Sequence, residues 1–434
     1  MGLRVPMNIP VIEMFVVNPG YGCGSPCFQN WTDTLRGRRV LRRRLIFGRH
    51  SISYLPSAAR CYPSIPMPLS SPTVPTTSTR RLPARAVVLD EGGGYGIAEL
   101  PRPVAGPGEI LLALRCCGLC GTDLWKLENG GAPAGSVLGH EVVGTVVEAG
   151  AGVRGFRPGD RVAAPHHVAC GECDDCRRGE EPLCAAFREN QLTPGGFSDL
   201  IRVGERAVRL AAFGLPDHLS DEAAVFLEPG ACVLRGIYRS GLLERVRSGV
   251  RATAAILGAG SMGLLHLLLL KALSPALRVA VADPLPERRE LALALGADAQ
   301  AADATGISGR ADIVFDTAGG PAALAAALDL TRPGGTTVLF AHAALGERGE
   351  LDLNPFWKAE RRLLATYSSS LAEQRDVFRL LVTGRLDPAP LVTHRLPLSR
   401  FAEAVALARD RRALKVLLTP DDEPDAGEAG EAGA

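Results

Sequence analysis

The chain has 434 residues, room for two substantial cores, and its 48 basic residues almost cancel its 47 acidic ones for a net charge of +1. That balance gives no whole-chain reason to expect a nucleic acid or an acidic surface as partner. Eleven cysteines, several of them clustered like metal ligands, point to a reducing, cytoplasmic setting rather than a disulfide framework.

Residues 1–83 differ from the rest, with eleven arginines, two acids and no lysine. They end in PMPLSSPTVPTTSTRRLP, which has no apolar period and reads as disordered. Three readings of this segment stay open. The basic run TLRGRRVLRRRLIFGRH suits a targeting peptide or a nucleic-acid-binding arm, and the whole segment suits upstream sequence read from too early a start codon. Cys23, Cys27 and Cys61 fall here and receive no role. The whole chain has only four lysines, at 126, 271, 358 and 415, an arginine bias that fits a GC-rich genome.

From Ala84 to Cys232 the texture is short apolar runs cut by Gly and Pro: ARAVVLD, GEILLALRCCG, VLGHEVVGTVVEAG and GDRVAAP. Closely spaced strands of this kind predict a small β-barrel domain over 84–232. Within it, CCGLCGTDLWK and LGHEVVG present Cys120, His140 and Glu141, a thiolate, an imidazole and a carboxylate. That mixture suits a catalytic zinc with one open position. Farther on, CGECDDCRRGEEPLC spaces Cys170, Cys173, Cys176 and Cys184 at intervals of three, three and eight residues. Four thiolates from one loop can close a tetrahedral metal site. A nucleic-acid-binding zinc ribbon is the rival, but its ligands normally divide between two knuckles. Cys116 and Cys117 read as strand core and Cys232 as helix packing. His166 and His167 read as surface or inter-lobe residues.

Near residue 250 the pattern changes to alternating strands and helices. ATAAILG, LRVAVAD, ADIVFDTAG and GGTTVLFA read as buried strands; SMGLLHLLLLKAL, PERRELALALGA and PAALAAALDLT read as helices. This alternation predicts βαβ units and a parallel sheet over 233–366. The longest apolar stretch, GLLHLLLLKAL at 263–273, contains His266 and Lys271, so it suits a buried helix and no membrane partner is expected. LGAGSMG supplies Gly258, Gly260 and Gly263, with Ser261 and Met262 between them. With 49 glycines in the chain the motif alone is weak, but here it follows a strand and opens a helix. Asp283 at the end of the second strand would accept hydrogen bonds from the adenosine ribose and repel a 2′-phosphate, favouring NAD over NADP. Arg288 pulls the other way, since its guanidinium suits a phosphate. Residues 421–434 read as a disordered acidic tail.

The GHE segment followed by VVGTVVEAGAGV and FRPGDRV resembles the zinc-containing medium-chain alcohol dehydrogenases, over roughly residues 85–420. The resemblance implies an α/β protein: a GroES-like β-barrel catalytic domain, a doubly wound Rossmann domain, and a return of residues 367–420 to the catalytic domain. It makes the four-cysteine zinc structural and the other zinc catalytic. It assigns Thr122 to the start of a proton relay and Asp123 to support of the metal site. Glu228-Pro229 in AVFLEPGACV matches the sorbitol/threonine-like branch, in which that carboxylate stands at the catalytic metal, so Glu228 can bind the zinc directly, alternate with Glu141, or hold a metal-bound water. The relay histidine of several relatives, five residues after the first zinc ligand, is Trp125 here. Proton exit then needs another route, and L-threonine becomes a less fitting substrate than a polyol or sugar-like secondary alcohol. The implied activity is NAD-linked oxidation of such an alcohol. L-threonine oxidation and a non-catalytic nucleotide sensor are the alternatives, and a homodimer or homotetramer is the implied assembly.

Overall fold

Branched side chains pack well on a pleated surface, while Gly and Pro end each run, so the apolar segments of the first half form strands. The computed structural model describes residues 83–421. The readings of 1–82 and of the acidic tail beyond Asp421 lie outside the described residues. In chain order come β1 (Ala84–Leu89), β2 (Tyr95–Leu100), β3 (Ile110–Gly118), helix α1 (Gly121–Asn129), β4 (Glu141–Ala149), β5 (Arg161–Pro165), β6 (Leu192–Thr193), β7 (Leu200–Val203) and β8 (Phe213–Gly214). β3 is the hub: it pairs antiparallel with β4 on one side and contacts β7 on the other. Ile110, Leu112, Phe197 and Ile201 are completely buried inside this curled sheet.

Helix α2 (Leu227–Arg239) runs unbroken across residues 232 and 233, where the sequence pattern placed a domain boundary. There follow β9 (Thr253–Leu257), α3 (Ser261–Leu273), β10 (Arg278–Ala282), α4 (Pro286–Ala294), β11 (Ala299–Ala301), β12 (Ala311–Asp316), α5 (Pro321–Leu330), β13 (Thr331–Leu339) and β14 (Arg362–Ala365). Their sheet has the order β11-β10-β9-β12-β13-β14, every pair parallel. Counted within the sheet this is 3-2-1-4-5-6, the doubly wound order, with its reversal between β9 and β12. The crevice at that reversal lies beyond the strand C-termini, where residues 258–263 turn from β9 into α3. β11 and β14, of three and four residues, are additions to the four strands expected; such short edge strands show no period in sequence.

The chain then makes α6 (Leu371–Val382), β15 (Val392–Pro397), α7 (Phe401–Arg409) and β16 (Lys415–Thr419). β16 pairs antiparallel with β3, setting Leu417 opposite Gly118 and Leu418 opposite Cys117. The last strand therefore completes the barrel sheet and carries Lys415 to the end of β3. No helix among the described residues is long and apolar enough to cross a membrane.

α3 shows how the apolar nucleotide core treats a polar residue. His266 is fully buried; its Nδ1 donates to the Met262 carbonyl at 2.8 Å, and its ring packs against Phe315 and Phe340. Burial lowers its pKa to about 4, since the imidazolium would have no partner for its second N–H. In the unfolded chain the ordinary value is about 6.5. Between those values the unfolded state binds more protons, so stability is fully present above about 6.5 and falls as pH drops towards 4. Replacing His266 with Leu should flatten this part of the stability curve, as measured by urea unfolding across that pH range.

Candidate active site

Cys120 ends the loop after β3 and caps α1. Its Sγ accepts from the Thr122 N–H at 3.5 Å, and Asp123 Oδ2 reaches back to the Cys120 N–H at 3.1 Å. This reciprocal box aims the positive end of the helix at the sulfur. His140 immediately precedes β4, which Glu141 opens. Asp123 is wholly buried, and its Oδ1 lies 3.3 Å from His140 Nδ1, which leaves Nε2 free to face a metal. Burial alone would push the Asp123 carboxyl up, but the His140 imidazole and the Cys120 N–H outweigh it and hold the group below its ordinary value. Burial pushes His140 down, yet Asp123 and Cys120 draw it well above an ordinary histidine. The cluster thus attracts positive charge at the imidazole, a demand that a metal cation meets.

Glu141 is completely buried, and both its oxygens accept from Lys415 Nζ, at 2.8 and 2.6 Å. Lys415, equally buried, also donates to the Leu119 carbonyl at 3.4 Å and lies 5.6 Å from the Phe226 ring centre. Gly118 has to be glycine, because a Cβ there would run into the Glu141 carboxylate. One ligand atom each from Cys120, His140 and Glu141 lies within 4.8 Å of the others, a sulfur, nitrogen and oxygen set that leaves a coordination position free.

Of the two carboxylates expected as alternative ligands, Glu141 belongs to this trio and Glu228 does not. Glu228, on the first turn of α2, accepts from Cys232 Sγ at 3.5 Å, and burial pushes its pKa up. Cys232 lies one turn further along α2, where burial raises its thiol pKa strongly, with Glu228 and Cys120 adding to the effect. His166 is drawn into the site as well, its ring 4.7 Å from that of His140 and 3.7 Å from that of His167. Thr122 Oγ1 lies 3.3 Å from His342 Nε2, in the loop after β13. Lys415 and His342 were not anticipated. A lysine inside the apolar strand KVLLT, in a chain with four lysines, was the available signal for the first.

The sulfurs of Cys170, Cys173, Cys176 and Cys184 form the second cluster. Separations of 3.8 Å (170–176), 3.5 Å (173–176) and 3.6 Å (170–184) are too long for disulfides. They approach the roughly 3.8 Å edge of a tetrahedron built on Zn–S bonds of about 2.3 Å. The backbone N–H groups of Glu172 and Cys173 pull the Cys170 thiol down to about 6, while burial pushes the neighbouring Cys176 thiol up to about 12. The lobe docks on the nucleotide side. Glu181 accepts from the Leu371 N–H at 2.9 Å, and Arg235 donates to the Gly179 carbonyl at 3.3 Å.

At the turn after β9, Gly258 has φ +99°, and a Cβ on Gly263 would collide with the Gly258 carbonyl, which brings α3 hard against the strand. A Cβ on Gly260 would meet only the Arg288 guanidinium, at 3.7 Å. Ser261 Oγ is buried with no partner at the N-terminus of α3, next to Met262. An open cradle with an orphaned hydroxyl at a helix N-terminus fits a pyrophosphate. Asp283 accepts from the Ala259 N–H at 2.7 Å and the Leu285 N–H at 2.9 Å, one bond per carboxylate oxygen, and each oxygen keeps a lone pair for a ribose hydroxyl. Arg288 donates to the carbonyl of Arg411 at 2.9 Å.

The buried pair yields a direct stability test. Lys415→Met strands the Glu141 carboxylate and should cost about 3–5 kcal/mol in chemical denaturation. Adding Glu141→Gln should recover part of that loss, giving a coupling energy in the double-mutant cycle.

Comparison with known proteins agrees with this geometry. The family model described as "Alcohol dehydrogenase GroES-like domain" matches residues 106–212, and "Zinc-binding dehydrogenase" matches 261–383. The sorbitol dehydrogenase of Bacillus subtilis is 30% identical over 360 residues, 78% of this chain and 97% of that protein. The L-threonine 3-dehydrogenase of Rhizobium johnstonii is 28% identical over 341 residues, 75% of this chain and 95% of the relative. The crystal structure of a zinc-binding dehydrogenase from Sinorhizobium meliloti 1021 with bound NADP superposes with a TM-score of 0.68 at 28% identity, covering 78% of this chain and 99% of that one. With a GroES-like barrel, a doubly wound nucleotide domain and both cysteine-containing clusters in place, the chain belongs to the zinc-type medium-chain alcohol dehydrogenases and is an oxidoreductase.

Proposed function

We propose that this dehydrogenase oxidises a secondary alcohol of the polyol or sugar-like class to a ketone, using NAD and one catalytic zinc, with a second zinc in the four-cysteine lobe. The observation that carries the reading is the mixed trio Cys120, His140 and Glu141, three ligands that leave a fourth position free, with Cys120 capping a helix whose Thr122 and Trp125 reach the nucleotide domain. When bound there, zinc lowers the pKa of an alcohol and oxidised nicotinamide accepts a hydride from its carbon. The chain's own residues supply the placement. Asp123 holds the His140 ring in its ligating tautomer, Lys415 neutralises the buried Glu141, and Thr122 offers a hydroxyl beside the site. Glu228, Cys232 and His166 give the recess polar walls, which suits a hydroxylated substrate.

Asp283 supports NAD over NADP, since a 2′-phosphate would meet a carboxylate. Arg288, tied to the Arg411 carbonyl, lends less to NADP than its position in sequence promised. The eight cysteines of the described residues are all free, which supports a cytoplasmic location. Neither a nucleic acid nor a membrane is part of this reading.

The partner best supported is a second copy. Among the described residues β14 ends its sheet with one edge unpaired, beside the exposed side chains of Leu353, Trp357 and Leu363, so two copies can join edge to edge into a homodimer, or pairs of these into a homotetramer.

A screen of polyols, aldoses, inositols and L-threonine with NAD and NADP tests the assignment. NADH should form fastest with a polyol or sugar-like alcohol, and removal of the catalytic zinc by a chelator should abolish it. A clear preference for L-threonine would move the substrate to that of the Rhizobium relative, and turnover without zinc would end the proposal. Asp283→Ser should lower kcat/KM with NAD by about ten- to a hundredfold and spare NADP. For the assembly, Leu363→Glu should shift the light-scattering mass towards the monomer.

A further inference from the structure

Five residues beyond Cys120, where several members of the family carry a relay histidine, this chain has Trp125, whose indole nitrogen only donates. A different histidine occupies the same neighbourhood. His342 comes from the nucleotide domain and sets Nε2 3.3 Å from Thr122 Oγ1. Its ring is stacked on Trp125, with centroids 5.5 Å apart and planes 22° apart. The Trp125 N–H donates to the Ala343 carbonyl at 3.2 Å, pinning the same loop to α1. Gly319, with φ +78°, backs that loop so closely that a Cβ would strike the His342 carbonyl. Three contacts from α1, with Gly319 behind the loop, therefore hold the imidazole against the threonine, while His342 itself is exposed to water.

We infer that His342 is the proton acceptor of this site, taking through Thr122 the proton a bound alcohol loses and delivering it to solvent. The inference rests on the dehydrogenase reading above. The substrate O–H breaks as its proton joins Thr122 Oγ1, and the proton already on Thr122 moves to His342 Nε2. The imidazolium then returns one proton to water. No electrons follow this path, because the electron pair leaves the carbon with the hydride accepted by the nicotinamide. In this arrangement Trp125 serves as the platform that orients His342. The family's local relay residue is thereby replaced by one from the opposite domain, so the route exists only when α1 and the loop after β13 are in contact.

The surroundings keep the ring ready to accept. Partial burial, reinforced by the positive charge of Lys126 on α1, holds the His342 pKa below that of an ordinary histidine, so the ring is neutral near pH 7. Glu347, the nearby acid of the same loop, is engaged by the Ala344 N–H at 2.9 Å.

The test compares wild type with His342→Gln, which keeps a polar side chain but cannot titrate, using the best alcohol from the screen. The expected result is a fall in kcat of about a hundredfold with little change in KM, and loss of the acid limb of the pH profile. Added imidazole should restore part of the rate. In a second readout that involves no turnover, an indicator dye follows proton release as trifluoroethanol joins the enzyme with zinc and NAD; the variant should release it more slowly. Zinc content and melting temperature report on folding, and Thr122→Val interrupts the same path if His342→Gln does not fold. An active wild type matched by His342→Gln in rate, pH profile and proton release overturns this inference alone, as does a loss that no small base relieves. A wild type that oxidises no alcohol overturns the dehydrogenase reading with it.

Discussion

A buried carboxylate and a buried ammonium, 274 residues apart in sequence, meet behind the candidate metal trio. Neither Glu141 nor Lys415 tolerates burial alone, because each charge would forfeit its hydration without compensation. Their pairing forces β16 to return to the end of β3, and so makes the C-terminal segment part of the wall behind the trio. It also holds Glu141 at the start of β4, one residue from His140, while Asp123 secures that histidine from the other side. The trio is thus shaped by opposite charges placed around it, which is how a small set of ligands keeps its geometry.

The two sulfur-containing clusters are built by different means and suit different tasks. Cys170, Cys173, Cys176 and Cys184 come from one loop and surround their own centre, so little beyond local backbone is needed to assemble them. Cys120, His140 and Glu141 come from a helix cap and the start of a strand, and as three ligands they leave a fourth position free. The first arrangement braces the lobe, which hydrogen-bonds to α2 and α6. The second presents reactive geometry where the nucleotide domain approaches, at the loop of His342.

Much of this was legible in the chain. The switch from closely spaced β runs to alternating strand and helix marked the two architectures, and LGAGSMG after a buried strand marked the nucleotide turn. Both rest on local periodicity and on backbone conformations that glycine permits. The four-cysteine loop was equally visible, since its ligands lie within fifteen residues of chain. Less visible were β11 and β14, too short to carry a period, and the boundary near residue 232, which α2 crosses without interruption. His166 read as a surface or inter-lobe residue, because nothing nearby in sequence announces that β5 ends beside His140.

By itself the sequence determined the two-domain architecture, the closed sulfur site and the Cys120–His140 pair of the open one, because each is written in spacing over a few tens of residues. Only the tertiary structure decided between Glu141 and Glu228 as a member of the trio, gave Glu141 its lysine, and brought His342 to Thr122. Those choices depend on contacts between segments more than a hundred residues apart in two cases of the three, and on side chains competing for one buried space. Linear spacing carries no record of that competition; burial and charge pairing in the folded chain resolve it.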